Sequence, residues 1–141
     1  MYCDSCILIK LLTPEADSAF FERELRGQPL GSSELAWTEV SSLLLAKERT
    51  GQILSEERQR AWKLFSNWVE EETLLLHPLS GTTLRKASRE LELCHPQVAL
   101  RASDAIHLAS ADLAQDFPFC TTDERKRQAA RVLQLPLFPT V

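Results

Sequence analysis

The stretch Arg101-Ala102-Ser103-Asp104-Ala105-Ile106-His107-Leu108-Ala109-Ser110-Ala111 decides the fold, because one carboxylate stands in a run dominated by small and apolar residues. At about 100° per residue, Ala102, Ala105, Ile106, Ala109 and Leu113 cover more than one side of a helix, which predicts packing against a sheet and cover on a flank. Asp104 falls on a separate line with His107, Leu108 and Ala111. Close to a helix N-terminus, where backbone N–H groups favour negative charge, such a carboxylate stays ionised without a salt bridge and is free to face a cleft.

Outward from this helix, short apolar runs alternate with helical patterns. Tyr2-Cys3 reads as a very short strand with Asp4 at its carboxyl end, followed by a short helix. Thr13-Pro14-Glu15 is expected to open a second helix with Thr13 as its cap, running through Phe20, Phe21 and Leu25 to Gly27. A minimal second strand lies in Gln28–Ser32. A helical hairpin follows, its first arm capped by Ser33 and ending at Gly51, its second capped by Ser55 and carrying the stripe Ala61, Trp62, Phe65, Trp68, Val69. Thr73–His77 reads as a buried parallel strand. A helix then runs from Ser80-Gly81 to Cys94. Phe117–Thr121 is the fourth strand, with Thr122-Asp123 at its end; a basic helix spans Glu124–Leu133, and Leu135–Phe138 is an edge strand. This alternation predicts an α/β fold with a parallel sheet of four to five short strands, a single domain over 1–141, and function beyond the strands' carboxyl ends. Repeats, low-complexity segments and an interdomain linker are not apparent.

With 141 residues and 44% hydrophobic content, the chain can bury a core without disulfides. No apolar run approaches the roughly 18 residues of a membrane span, and the N-terminus lacks a basic flank and a signal-like core, so the expected compartment is the cytoplasm. A net charge of −4 argues against holding nucleic acid by a broad basic surface. It leaves open a nuclease whose metal offsets an acidic pocket. Cys3, Cys6, Cys94 and Cys120 lack the second close pair of a zinc ribbon, so reduced, packed thiols are favoured over zinc.

Asp4 and Asp123 lie where strands end, Asp104 begins a helix, and Glu39 sits on the helix after the second strand. Four carboxylates without a His cluster or thiolate pair suit Mg²⁺ or Mn²⁺. Taken singly, each is also read as a cap or surface charge. Glu34 rivals Glu39 but serves the helix dipole, and Asp112, about 12 Å along the helix from Asp104, cannot share its ion. His107 is read first as packed and hydrogen-bonded, second as a proton shuttle. The Trp62, Phe65, Trp68 stripe is core or protein interface before it is a base-stacking platform. Arg125, Lys126, Arg127 and Arg131, with Arg85, Lys86 and Arg89, read as solvated helix faces or as a track for phosphates.

Tyr2-Cys3-Asp4-Ser5-Cys6-Ile7-Leu8-Ile9-Lys10-Leu11, Thr38-Glu39-Val40, Leu100-Arg101-Ala102-Ser103-Asp104-Ala105-Ile106-His107-Leu108-Ala109 and Thr121-Thr122-Asp123-Glu124-Arg125 together resemble the ordered acidic motifs of the PIN-domain family, most closely VapC-type toxins of toxin–antitoxin modules. The resemblance implies a three-layer α/β/α fold and an Mg²⁺-dependent endoribonuclease inhibited by a docked antitoxin; a homodimer is expected. Carried over, Asp4 and Asp104 are the principal metal ligands, Glu39 and Asp123 complete the site, and Ser5 and Thr121 orient the carboxylates. Cys6 stands where the family more often has a small polar residue. The alternatives are a PIN nuclease of RNA processing and a catalytically silent module that binds RNA or protein.

Overall fold

The computed structural model describes residues 1–140. Strands β1 (Tyr2–Cys3), β2 (Leu30–Ser33), β3 (Leu74–His77), β4 (Phe119–Cys120) and β5 (Leu137–Phe138) form one parallel sheet in the order β3-β2-β1-β4-β5. The chain moves outward from β1 through β2 to β3, then returns to the other side of β1 as β4. The order therefore reverses between β1 and β4, and a crevice opens there at the strands' carboxyl ends.

Side chains alternate across a sheet, and this period of two builds two cores from very short strands. Cys3 and Cys120 point to one face, packing with Ile7 and Leu8 of α1 (Ser5–Leu12), Phe21 of α2 (Ser18–Leu25), Val40 and Leu44 of α3 (Leu35–Arg49) and Phe65 of α4 (Ser55–Glu70). Tyr2 and Phe119 point to the other, where they meet Cys94 of α5 (Gly81–Cys94), Leu108 and Ala111 of α6 (Ala102–Ala114), and Ala129 and Ala130 of α7 (Glu124–Val132). The result is the expected α/β/α layering. Trp62 and Trp68 pack on the first core beside fully buried Phe65, so the aromatic stripe is core rather than a free stacking platform.

Several local expectations are corrected. Thr13 ends α1 instead of opening α2: its backbone N–H and hydroxyl both reach Ile9 O. The next helix starts only at Ser18, because Lys10 ties Glu15 and Asp17 into the connecting loop at 3.0 and 2.8 Å. Ser55 lies in the first turn of α4, whose cap position is Leu54, with Glu57 accepting the Leu54 N–H at 2.9 Å. Strand β3 is an edge strand, with Leu74 buried and Leu75 53% exposed. On α6 the face carrying Asp104, His107, Leu108 and Ala111 is buried, whereas Ala102 and Leu113 are exposed. Leu108 and Ala111 meet the sheet, and Ala105 and Ala109 meet Ala87 of α5. The carboxylate of Asp104 is thus on the buried side of its helix, at the end nearest the crevice.

Candidate functional site

Asp4 follows β1 and is the N-cap of α1, so strand and helix fix it from both sides. Its side chain is fully buried. Oδ1 accepts the Ile7 N–H at 3.1 Å, while Oδ2 accepts the Thr121 hydroxyl at 2.5 Å and the Lys126 ammonium at 2.8 Å. The pairing of Cys3 with Cys120 sets Asp4 and Thr121 side by side at the switch point. Thr121 Oγ1 also accepts the Asp123 N–H at 3.0 Å, so one hydroxyl links two of the acids.

Asp104 reaches the same place from α6. Its Oδ2 accepts the backbone N–H and Nε of Arg101 at 3.1 and 3.2 Å, and its Oδ1 lies 4.0 Å from Lys126 Nζ. Asp123 caps α7 by accepting the Lys126 N–H at 3.0 Å.

Glu39 is held from two directions. Its Oε1 accepts Ser5 Oγ at 2.8 Å and contacts His107 Nε2 at 2.5 Å, and His107 Nδ1 lies 2.7 Å from the Tyr2 hydroxyl. Partial burial pushes the Glu39 carboxyl upward, but the hydrogen bond and charge of His107 and the Ser5 bond outweigh it and hold the group below its ordinary value. It stays ionised. Burial pushes the Tyr2 phenol well up, so it stays protonated and neutral.

The structure brings Asp4 and Asp104 to one point and ties Glu39 and Asp123 to them through Ser5, His107 and Thr121. The four acids do not close around a single centre: among the described residues, no three His, Cys, Asp or Glu side chains stand grouped as ligands for an ion. Lys126 stands between the two principal acids. The expectation for the basic helix is therefore corrected for two of its residues. Lys126 and Arg127 are each 6% exposed, and Arg127 donates to the carbonyls of Thr121 and Pro139. Arg125 and Arg131 are exposed.

The sequence carries a signal for Lys126. It lies one helical turn after Asp123, on a stripe continued by Ala129 and Ala130, and a lysine on such a stripe needs a carboxylate partner. Burial alone would lower Lys126; the charge of Asp4 and its hydrogen bond, with Asp104 nearby, instead raise it above its ordinary value. The two rivals are otherwise occupied, Glu34 accepting the Leu79 N–H at 2.8 Å and Asp112 pairing with Lys86 at 2.9 Å.

The sequence model of the PIN domain matches residues 1–132. The chain belongs to the PIN-domain family. Comparison with curated proteins yields no match. PIN domains are generally metal-dependent nucleases. The donors are carboxylate and hydroxyl oxygens, Asp4 and Asp104 are 0% and 2% exposed, and a compact cation, the Lys126 ammonium, is already seated against them. That chemistry fits a hard divalent ion. Beside this PIN site an open cleft of about 430 Å³ runs past Cys6, Lys10, Lys47, Thr122 and Asp123. Burial pushes the Cys6 thiol up to about 11, so it lines the cleft as a neutral group.

Proposed function

We propose that this PIN domain is an Mg²⁺- or Mn²⁺-dependent endoribonuclease and the toxin of a toxin–antitoxin pair. Asp4 and Asp104 hold the ion, directly or through water, and Glu39 and Asp123 complete its surroundings. The observation that carries this reading is the meeting of Asp4 and Asp104, far apart in sequence, at one buried cation in the switch-point crevice. When bound, the ion would polarise the phosphodiester and lower the pKa of an attacking water.

The protein's own groups supply the rest. Thr121 fixes the Asp4 carboxylate and the start of α7 together. Ser5 and His107 keep Glu39 charged and aimed, so that its partly exposed carboxylate can take up a proton from water. The Arg101 guanidinium, anchored on Asp104 yet largely exposed, is placed to meet a backbone phosphate. The products expected of such hydrolysis are a 5′-phosphate and a 3′-hydroxyl.

Antitoxin docking and homodimerisation are supported by apolar side chains left partly exposed. Trp37, Leu43 and Leu45 on α3, with Leu54 and Leu64 beside and on α4, are each 37–69% exposed. No helix among the described residues is long and apolar enough to cross a membrane. Growth arrest on expression, relieved by the neighbouring gene's product, tests the toxin role; survival of the expressing cells with RNA cleavage intact would point to RNA processing. A silent binding module is the second reading, favoured by the Lys126–Asp4 pair. Metal-dependent cleavage of RNA by the purified protein rules it out.

A further inference from the structure

We propose that Lys126 is the built-in counter-ion of the acidic site: it balances Asp4 and Asp104 while no divalent ion is bound, and an ion reaches Asp4 only by displacing it. This rests on the metal-binding reading of those acids.

Geometry carries the inference. A carboxylate offers about four lone-pair directions. On Asp4 three are taken, by the Ile7 N–H, the Thr121 hydroxyl and Lys126 Nζ. Two of those partners are fixed by the backbone of α1 and by the end of β4; the third sits on a flexible four-carbon stem and is the one that can leave. Lys126 Nζ also lies 4.0 Å from Asp104 Oδ1, too far for a hydrogen bond, while Arg101 holds Oδ2 of the same carboxylate at 3.2 Å. The ammonium therefore offsets the charge of Asp104 without saturating it. A divalent ion seated between the same two carboxylates would lie within a few ångströms of Nζ, in a place where Asp4 is fully buried and water screens little. Cation and ammonium exclude one another. The buried position of Lys126, on a helix face otherwise lined by Ala129 and Ala130, has no packing rationale that a neutral side chain would not serve better.

The test compares the full-length wild type with Lys126→Met and Lys126→Gln, using MnCl₂ alone as the probe. Mn²⁺ affinity is measured by calorimetry, and thermal unfolding is followed in EDTA and in saturating Mn²⁺. The expected result is a variant less heat-stable than wild type in EDTA that binds Mn²⁺ about 10-fold or more tighter and gains more in unfolding temperature when Mn²⁺ is added. A variant unfolded in EDTA that refolds with Mn²⁺ supports the proposal equally. Variants that bind Mn²⁺ no more tightly than wild type overturn it while leaving the metal site standing. Variants that fail to fold at any Mn²⁺ concentration overturn it too, since a divalent ion then cannot replace the ammonium. A wild type that binds no Mn²⁺ under any condition overturns both this inference and the metal-binding reading beneath it.

Discussion

Thr121 shows how much one hydroxyl carries at this site. It donates to Asp4 Oδ2, accepts from the Asp123 N–H, and is fully buried, as is Asp4, so the carboxylate has no water to turn to in its place. Thr121→Val keeps the shape and removes both bonds, which is expected to cost about 1–3 kcal/mol, read as a lower urea midpoint with an unchanged slope. Thr121→Ser should recover most of it; an unaltered midpoint in the valine variant would show that the hydroxyl is idle. At this scale the sequence was legible wherever a motif named the residue, as for Asp4, Ser5 and Thr121. For Lys126 the stripe with Ala129 and Ala130 signals a buried charge but not its partner, and the link from His107 to Glu39 has no local signal, because those partners lie on different elements and only the three-dimensional crossing at β1 joins them. His107 is packed and hydrogen-bonded, as its place in an apolar helix predicts, but its partners have no sequence signal.

Between elements, Glu90 is a carboxyl buried without a close cationic partner. Burial where α5 packs on α6 raises its carboxyl from 4.5 to about 7, Lys86 at 4.0 Å opposing and Asp112 assisting. A carboxyl raised on folding contributes stability that is complete below its unfolded value and lost as pH climbs through the folded one. The protein should therefore lose stability between about pH 4.5 and 7 on this account. Glu90→Gln should be more stable than wild type at pH 8 by on the order of 2 kcal/mol and indistinguishable from it at pH 4. Urea midpoints at both pH values check this; equal differences at both would refute it.

Gly31 in β2 tests the opposite side of the sheet's centre. An added Cβ there would lie 2.1 Å from Asp116 Oδ2 and 2.7 Å from His77 Nε2, two atoms joined to each other at 2.8 Å. Gly31→Ala should break that pair and destabilise the protein by about 1–3 kcal/mol, visible in thermal unfolding. A neutral effect would mean that the segment around Asp116 yields freely.

Element type and order were legible because helical stripes stand out between short apolar runs closed by Pro, Gly or Asp. Boundaries were not: Thr13 and Ser55 have the chemistry of caps, yet the loop tied by Lys10 and the Glu57–Leu54 bond chose other residues. For α6 the rich supply of alanine made several faces equally apolar, and only packing on Tyr2 and Phe119 selected the one bearing Asp104.

Over the whole molecule, the decisive fact is the reversal of strand order between β1 and β4, which sets two strand ends, the start of α6 and the start of α7 around one crevice. Alternation of strands and helices made the α/β class legible; the strand order itself was not, since nothing local records which strands become neighbours. The same reversal is why an acidic chain gathers its carboxylates and one buried lysine instead of spreading them. Cleavage of a labelled RNA by wild type and by Asp104→Asn, each in Mg²⁺ and in EDTA with folding checked by circular dichroism, measures the consequence most directly. Cleavage is expected of wild type in Mg²⁺ only, with a loss of at least ~100-fold in a fully folded Asp104→Asn. Undiminished cleavage by that variant, or by wild type in EDTA, would contradict a metal-dependent role for Asp104.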